Sequence, residues 1–248
     1  MTSSANFSGD RSGAFRPTGT PDLIGAESDD ESLQDTNEQL RGLLAAEIGG
    51  RPFTELSGVT FDHRGAELAG HVLLDTLEDA GYAVGDFDAV GALTAAAVPL
   101  ADAMLHAAAS RGQDLDAFVM DFVYPSIKGP SIRGKKVILL DAWLSEKSYV
   151  QTSSLVTLRK GNELNLDFGV VKREGATVVA VASLVGGVGR GADQTGRPTV
   201  DLVDPVDGTR TTRPFICAFR EDEFRPEGSG SSGPVGDRPG GPAGEGER

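Results

Sequence analysis

Asp141 closes the apolar run Val137-Ile138-Leu139-Leu140, and a mixed stretch holding Ser145, Glu146, Lys147 and Ser148 follows. A buried parallel strand delivers its carboxyl end to a crevice in this way, and in open α/β sheets ligands bind there. Ser145, Lys147 and Ser148 offer two hydroxyls and an ammonium group to an anion, as a turn leading into a helix often does. The competing reading makes Ser148 a helix N-cap and leaves Lys147 solvated.

Other residues with possible chemistry are scattered. Asp204-Pro205-Val206-Asp207-Gly208-Thr209 resembles the signature in which two aspartates bridge Mg²⁺ in inositol-monophosphatase-like enzymes. The companion Glu-rich motif is missing, so a Pro/Asp/Gly turn between two strands is the favoured reading. His63, His71 and His106 share no ligand spacing. The glycines of 186–191 follow a strand but open no helix, which argues against a phosphate loop. Cys217 sits in the apolar run 215–219 and reads as a buried structural thiol. Trp143 can stack on a ligand or pack into the core.

The elements that must position these residues alternate. Residues 37–48 carry Leu40, Leu43, Leu44 and Ile48 at helical spacing, with Asp35-Thr36 before them and Gly49-Gly50 after. A short strand is expected at 58–61 and a helix at 65–80, with Leu68, Val72, Leu73 and Leu77 on one face. Strands follow at 87–93, 116–120, 137–141 and 176–184, and a helix opened by Pro99 spans 98–110. That order means a parallel sheet with crossovers. Residues 165–171 read as an extra strand or hairpin arm, 186–214 as a loop or added hairpin, and 216–219 as a closing edge strand.

Charge sets limits on partners. Residues 1–36 hold seven acids against two bases and 221–248 seven against three, so the ends carry −9 of the net −14. Acidity of this kind speaks against attraction to nucleic acid or an anionic membrane. One cysteine excludes an internal disulfide and fits a reducing cytoplasm. No stretch of ~18 apolar residues occurs, so a cytoplasmic protein is expected. Residues 1–35 and 225–248 lack the apolar content to order themselves and are expected to be disordered tails around one domain, 36–224.

Within that domain the chain resembles the orotate phosphoribosyltransferase family in its actinobacterial form. The residues that carry the resemblance are GVTFDHRGAELAGHVLLD (58–75), DAVGALT (88–94), PLADAMLHAAASRGQDLDAFV (99–119), GPSIRGKKVILLD (129–141), VVKREGATVVAVASLV (170–185) and FICAFREDEF (215–224). The resemblance implies an α/β fold of the type I phosphoribosyltransferase kind, a central parallel sheet flanked by helices under a small N-terminal hood. It also implies a homodimer that joins orotate to phosphoribosyl pyrophosphate with Mg²⁺.

Four loops would carry that chemistry, and each departs from the family pattern. The phosphoribosyl loop keeps Asp141 of two adjacent acids, has Ala142 as the second, and puts Lys147 and Ser148 where glycines let backbone approach phosphate. Glu146 adds a charge of the wrong sign. The pyrophosphate loop keeps Thr94 and Pro99 but has Ala96 for its glycine and Val98 for its acid. The basic catalytic loop is about six residues shorter, with Asp121 and Phe122 for its Arg-Lys pair and Lys128 as its last cation. The hood is compressed to 48–60, with Ser57-Gly58 as a remnant and no tyrosines. These changes imply a catalytically degenerate protein that binds or scaffolds an unidentified protein partner and needs no cofactor. The alternative is a transferase of weak or altered activity, Mg²⁺-dependent, holding a phosphorylated ligand at Asp141, Ser145 and Ser148.

Overall fold

The structure is a computed structural model that describes residues 35–49, 51, 55–121, 126–145, 165–187, 191–204 and 206–224. In chain order the elements are α1 (Thr36–Ile48), α2 (Ser57–Thr60), α3 (His63–Asp79), β1 (Ala89–Ala92), α4 (Val98–Ser110), β2 (Asp116–Asp121), β3 (Ser126–Lys128), β4 (Lys136–Ser145), β5 (Asn165–Asp167), α5 (Gly169–Arg173), β6 (Thr177–Gly187), β7 (Gly191–Ala192), β8 (Pro198–Val203) and β9 (Arg210–Arg220). The segments expected to be tails lie outside the described residues, apart from Asp35.

One nine-stranded sheet organises them, in the order β3-β2-β1-β4-β6-β9-β8-β5, with β7 paired to β8. The stretch from β2 to β9 is parallel, β3 and β8 run antiparallel to their neighbours β2 and β9, and β5 runs parallel to β8. The central runs are apolar throughout because both faces are covered. Ile138, Leu140, Ala142 and Trp143 join a core with α1, α3 and α4. Val137, Leu139 and Leu144 join a second core with Phe168 and Val171 of the α5 region and Val200, Leu202 and Phe215 of the C-terminal strands.

Helix ends follow local chemistry. Gly49 takes φ +47° and returns its N–H to the Ala45 carbonyl, which stops α1. The Asp62 side chain accepts the N–H groups of Arg64 and Gly65 and starts α3. A Cβ added at Gly70 of α3 would stand 2.4 Å from the Ala103 carbonyl oxygen of α4, so this glycine sets how closely the two helices meet. Arg41 of α1 lies 5.1 Å over the Phe219 ring and pairs with Glu223, fastening the first helix to the end of the described chain.

Four expectations are corrected. Residues 58–61 are not a strand: buried Leu56 takes φ +58° and its carbonyl receives the N–H groups of Val59 and Thr60, closing the helical turn α2. β4 does not end at Asp141 but continues to Ser145, because Ala142, Trp143 and Leu144 are buried and β6 runs on opposite them. Residues 165–171 divide into β5 and α5. β9 is no edge strand, since β8 folds back along its other side.

Candidate functional site

β1 and β4 bring two of the anticipated site residues together. Ala92 stands opposite Leu140, and the Leu93 N–H reaches the Leu140 carbonyl at 2.8 Å. The next residue along, Thr94, therefore lies beside Asp141. Its hydroxyl donates to Asp141 Oδ1 at 2.9 Å, and the Ala142 N–H donates to the same oxygen at 2.7 Å. Asp141 is 8 % exposed. Burial pushes its carboxyl up to about 6, against the lowering effect of the Thr94 hydroxyl and the Ala142 N–H, and the charge of Glu55 pushes the same way as burial. Glu55, from the compressed hood, had no signal in the sequence, because only the path of the hood brings it near.

The other anticipated residues are arranged differently. Ser145 is buried at the end of β4 opposite Gly187, in a paired strand rather than an open turn. Lys147 and Ser148 lie outside the described residues. Ala142, where a second sugar-binding acid was expected, is a core residue. Past Thr94 the backbone closes a tight 3-10 turn at Ala95–Ala97, with the Ala97 N–H on the Thr94 carbonyl, and passes into α4.

The shortened basic loop is a β-hairpin. Val119, Met120 and Asp121 of β2 pair with Lys128, Ile127 and Ser126 of β3, so only residues 122–125 connect the two strands. Lys128 Nζ lies 2.7 Å from Asp121 Oδ2. Lys128, expected to be the last cation of that loop, is thus held by Asp121 on the facing strand.

The remaining motifs resolve as packing. Between Asp204 and Asp207 stands an ammonium group: Lys172 Nζ is 3.1 Å from Asp204 Oδ2 and 2.6 Å from Asp207 Oδ2. Asp204 accepts the Val206 N–H and Asp207 the Thr209 N–H, as in a turn. The Lys172 bond holds the Asp207 carboxyl well below its usual range. Among the described residues no three His, Cys, Asp or Glu side chains are grouped to hold a metal. A Cβ at Gly186 would meet Cys217 and Phe215, so that glycine serves close strand packing. Burial pushes the Cys217 thiol up to about 11, which suppresses its nucleophilic form. Trp143 is buried in the helix-side core.

A groove of about 680 Å³ lies away from Asp141, between α3 and α4. Thr60, Phe61, Val98 and Pro99 line one end, Ala66, Ala103 and Ala107 the middle, and Ser110 the other end. Its rims carry Glu67 and His71 on α3 and Asp102 and His106 on α4. Sequence reasoning passed over this surface, although the same acid-to-histidine step of four residues on two successive helices is visible in the chain.

No family model matches the chain. It is 37% identical over 139 residues to the orotate phosphoribosyltransferases of Streptomyces avermitilis and of Streptomyces coelicolor. The match takes in 54% of this chain and 66%, just under two thirds, of each of theirs. Among solved structures, the orotate phosphoribosyltransferase of Mycobacterium tuberculosis in complex with 5-phospho-α-D-ribosyl 1-diphosphate is similar at a TM-score of 0.50. That alignment has 21% identity and covers 77% of this chain and 99% of that one. The fold is that of the type I phosphoribosyltransferases. Among the described residues no helix is long and apolar enough to cross a membrane.

Proposed function

We infer, from a chain that resembles the orotate phosphoribosyltransferases along its core, a catalytically degenerate protein that binds or scaffolds a partner as a cytoplasmic homodimer. One observation carries the reading: β4 stays paired with β6 through Ser145, where a loop would have to open to receive a sugar phosphate. A phosphate held by successive backbone N–H groups needs a loop that turns them to one side, whereas a strand in register with β6 turns every second one into the sheet. Three neighbours support it. Ala142 offers no oxygen, Lys128 is held by Asp121, and Val98 replaces an acid at the start of α4.

The described residues also do not suit the Mg²⁺ of the family reaction. Asp141 Oδ1 is taken by Thr94 and Ala142, and neither Ala142 nor Val98 supplies a hard oxygen from its side chain. Incubation of the purified protein with orotate, phosphoribosyl pyrophosphate and Mg²⁺, followed by chromatography for orotidine monophosphate, tests the reading. No product above the level of a blank is expected, and robust turnover overturns it.

A second reading has its own observation. A buried acid with a raised pKa that is hydrogen-bonded to a threonine resembles a working site more than a packing element. It supports a transferase of weak or altered specificity that holds a phosphorylated ligand at Asp141. Calorimetric titration with phosphoribosyl pyrophosphate and with nucleotides separates the two, since absence of heat at millimolar ligand removes this alternative.

A further inference from the structure

Asp207-Gly208 is the one Asp-Gly step in the chain, and Asn-Gly does not occur. At such a step an aspartate can close on its own backbone, because glycine puts no Cβ in the path of the ring. The Gly208 nitrogen attacks the Asp207 side-chain carboxyl carbon, water leaves, and a five-membered imide remains. Water then reopens the imide. Opening at the former backbone carbonyl leaves the chain running through the side chain, as isoaspartate, with no net change in composition. Exposure favours the reaction here, since the Asp207 side chain is 49 % exposed and Val206 beside it 80 %. Two other requirements of ring closure are denied. The glycine nitrogen must lose its proton and swing onto the carboxyl carbon, yet the Gly208 N–H is donated to the Asp204 carbonyl at 2.8 Å. The carboxyl must carry a proton so that water can leave. Lys172 Nζ stands 2.6 Å from Asp207 Oδ2 and the Thr209 N–H donates to Oδ1 at 2.8 Å, so the group is held charged and fixed at both oxygens.

We propose that Asp207-Gly208 is an isoaspartate-forming site held shut by Lys172, and that its opening loosens β8 from β9. Lys172 is the common member of the clamp. It also reaches Asp204 Oδ2 at 3.1 Å, while Asp204 Oδ1 accepts the Val206 N–H and the Asp204 N–H donates to the Thr209 carbonyl at 2.9 Å. The ammonium group therefore fixes both ends of the turn that carries Gly208. It comes from α5, whose Val170 and Val171 are buried, so the cation is delivered from an anchored helix. The extra backbone methylene of isoaspartate would lie inside this turn, next to Val203 and Arg210, where β8 and β9 begin to pair. Val200 and Leu202 of β8 share the second core with Phe215 of β9, so the change reaches packing on that face of the sheet.

Incubation of the full chain for several weeks at neutral pH, followed by peptide mapping across Asp207-Gly208, tests this. Isoaspartate is expected to form at least about tenfold more slowly in the native chain than in the same chain unfolded in urea, where the clamp is absent. Equal rates, in a comparison that needs no variant, overturn the shut site. Lys172→Met, with far-UV circular dichroism unchanged, is expected to isomerise about fivefold or more faster than the native chain, and Lys172→Arg to stay near the native rate because the cation is kept. A folded Lys172→Met protein that isomerises at the native rate overturns Lys172 as the guard, and a Lys172→Arg protein as fast as Lys172→Met overturns its charge as the cause. The double variant Lys172→Met/Asp207→Glu should give no product, and any signal from it places the reaction elsewhere and overturns the assignment. In the isomerised fraction the N–H groups of β8 are expected to exchange with deuterium faster, and unchanged exchange overturns the loosening of β8.

Discussion

Burial, with Glu55 adding like charge, makes Asp141 keep its proton up to about pH 6 in the folded chain, against 3.8 when unfolded, although Thr94 and Ala142 both donate to one carboxyl oxygen and pull the other way. Between those values the folded state binds the extra proton, so this group makes stability fall as pH rises from about 4 to 6 and leaves it level above. The full difference amounts to roughly 3 kcal/mol. Asp141→Asn keeps an oxygen for Thr94 and Ala142 and removes the charge. Urea unfolding is therefore expected to find the variant more stable than the native chain at pH 7 to 8 by roughly 2–3 kcal/mol, with the gap closing by pH 4. A native chain that is the more stable at pH 7 would mean that a group not seen beside Asp141 holds its charge. Cys217 gives a second check at this scale. With its thiol raised to about 11 from 9.0, alkylation at pH 8 should be roughly a hundredfold slower in the folded protein than in denaturant. Asp141 and Thr94 were legible one by one, because an acid after an apolar run and a threonine before a helix are local signals. Their bond to each other depends on β1 lying against β4, which no local pattern encodes.

At the scale of elements, α4 appeared at the residues where the sequence placed it, Val98–Ser110, because Pro99 fixes its start and its apolar face repeats over three turns. α1 and α3 were legible for the same reason. What failed were short elements and strand ends. Four residues at 58–61 cannot display a period, and the turn α2 depends on the left-handed conformation of Leu56. Asp141 looked like a strand end because a buried charge inside a strand is rare, yet the apolar residues Ala142, Trp143 and Leu144 carry β4 onward. That extension decides what repair of the site would do. Ala142 is 1 % exposed within the helix-side core. Ala142→Asp would bury a second carboxylate beside Asp141 without a partner, and is expected to lower stability by about 3 kcal/mol or more while yielding no transferase activity. Orotidine monophosphate formed by a stable Ala142→Asp protein would show that the paired strand opens easily, contrary to the packing of Trp143 and Leu144.

For the whole molecule, the two cores on either side of the sheet are filled, and the departures from the family pattern expected from the sequence collect at the carboxyl ends of the parallel strands β1, β2 and β4. The β2–β3 connection is a short hairpin, the end of β4 is paired, and the turn after Thr94 is closed. A scaffold can keep its packing while its loops change, since core residues hold one another in place and surface connections carry little of the stability. Ligand-linked stability tests this distribution directly. A ligand present at a hundred times its dissociation constant stabilises the folded state by about 2.7 kcal/mol. For a domain of this size that corresponds to a rise in melting temperature of about 5–10 °C. Phosphoribosyl pyrophosphate at millimolar concentration with Mg²⁺ is expected to leave the melting temperature within about 1 °C of the apo value, because residues 141–145 of β4 stay in register with β6 instead of opening into a loop around a phosphate. The Asp141→Asn protein serves as the control. A rise in the native chain that this variant loses would locate binding at Asp141 and favour the weak transferase over the scaffold. A rise common to both would indicate phosphate binding elsewhere on the molecule.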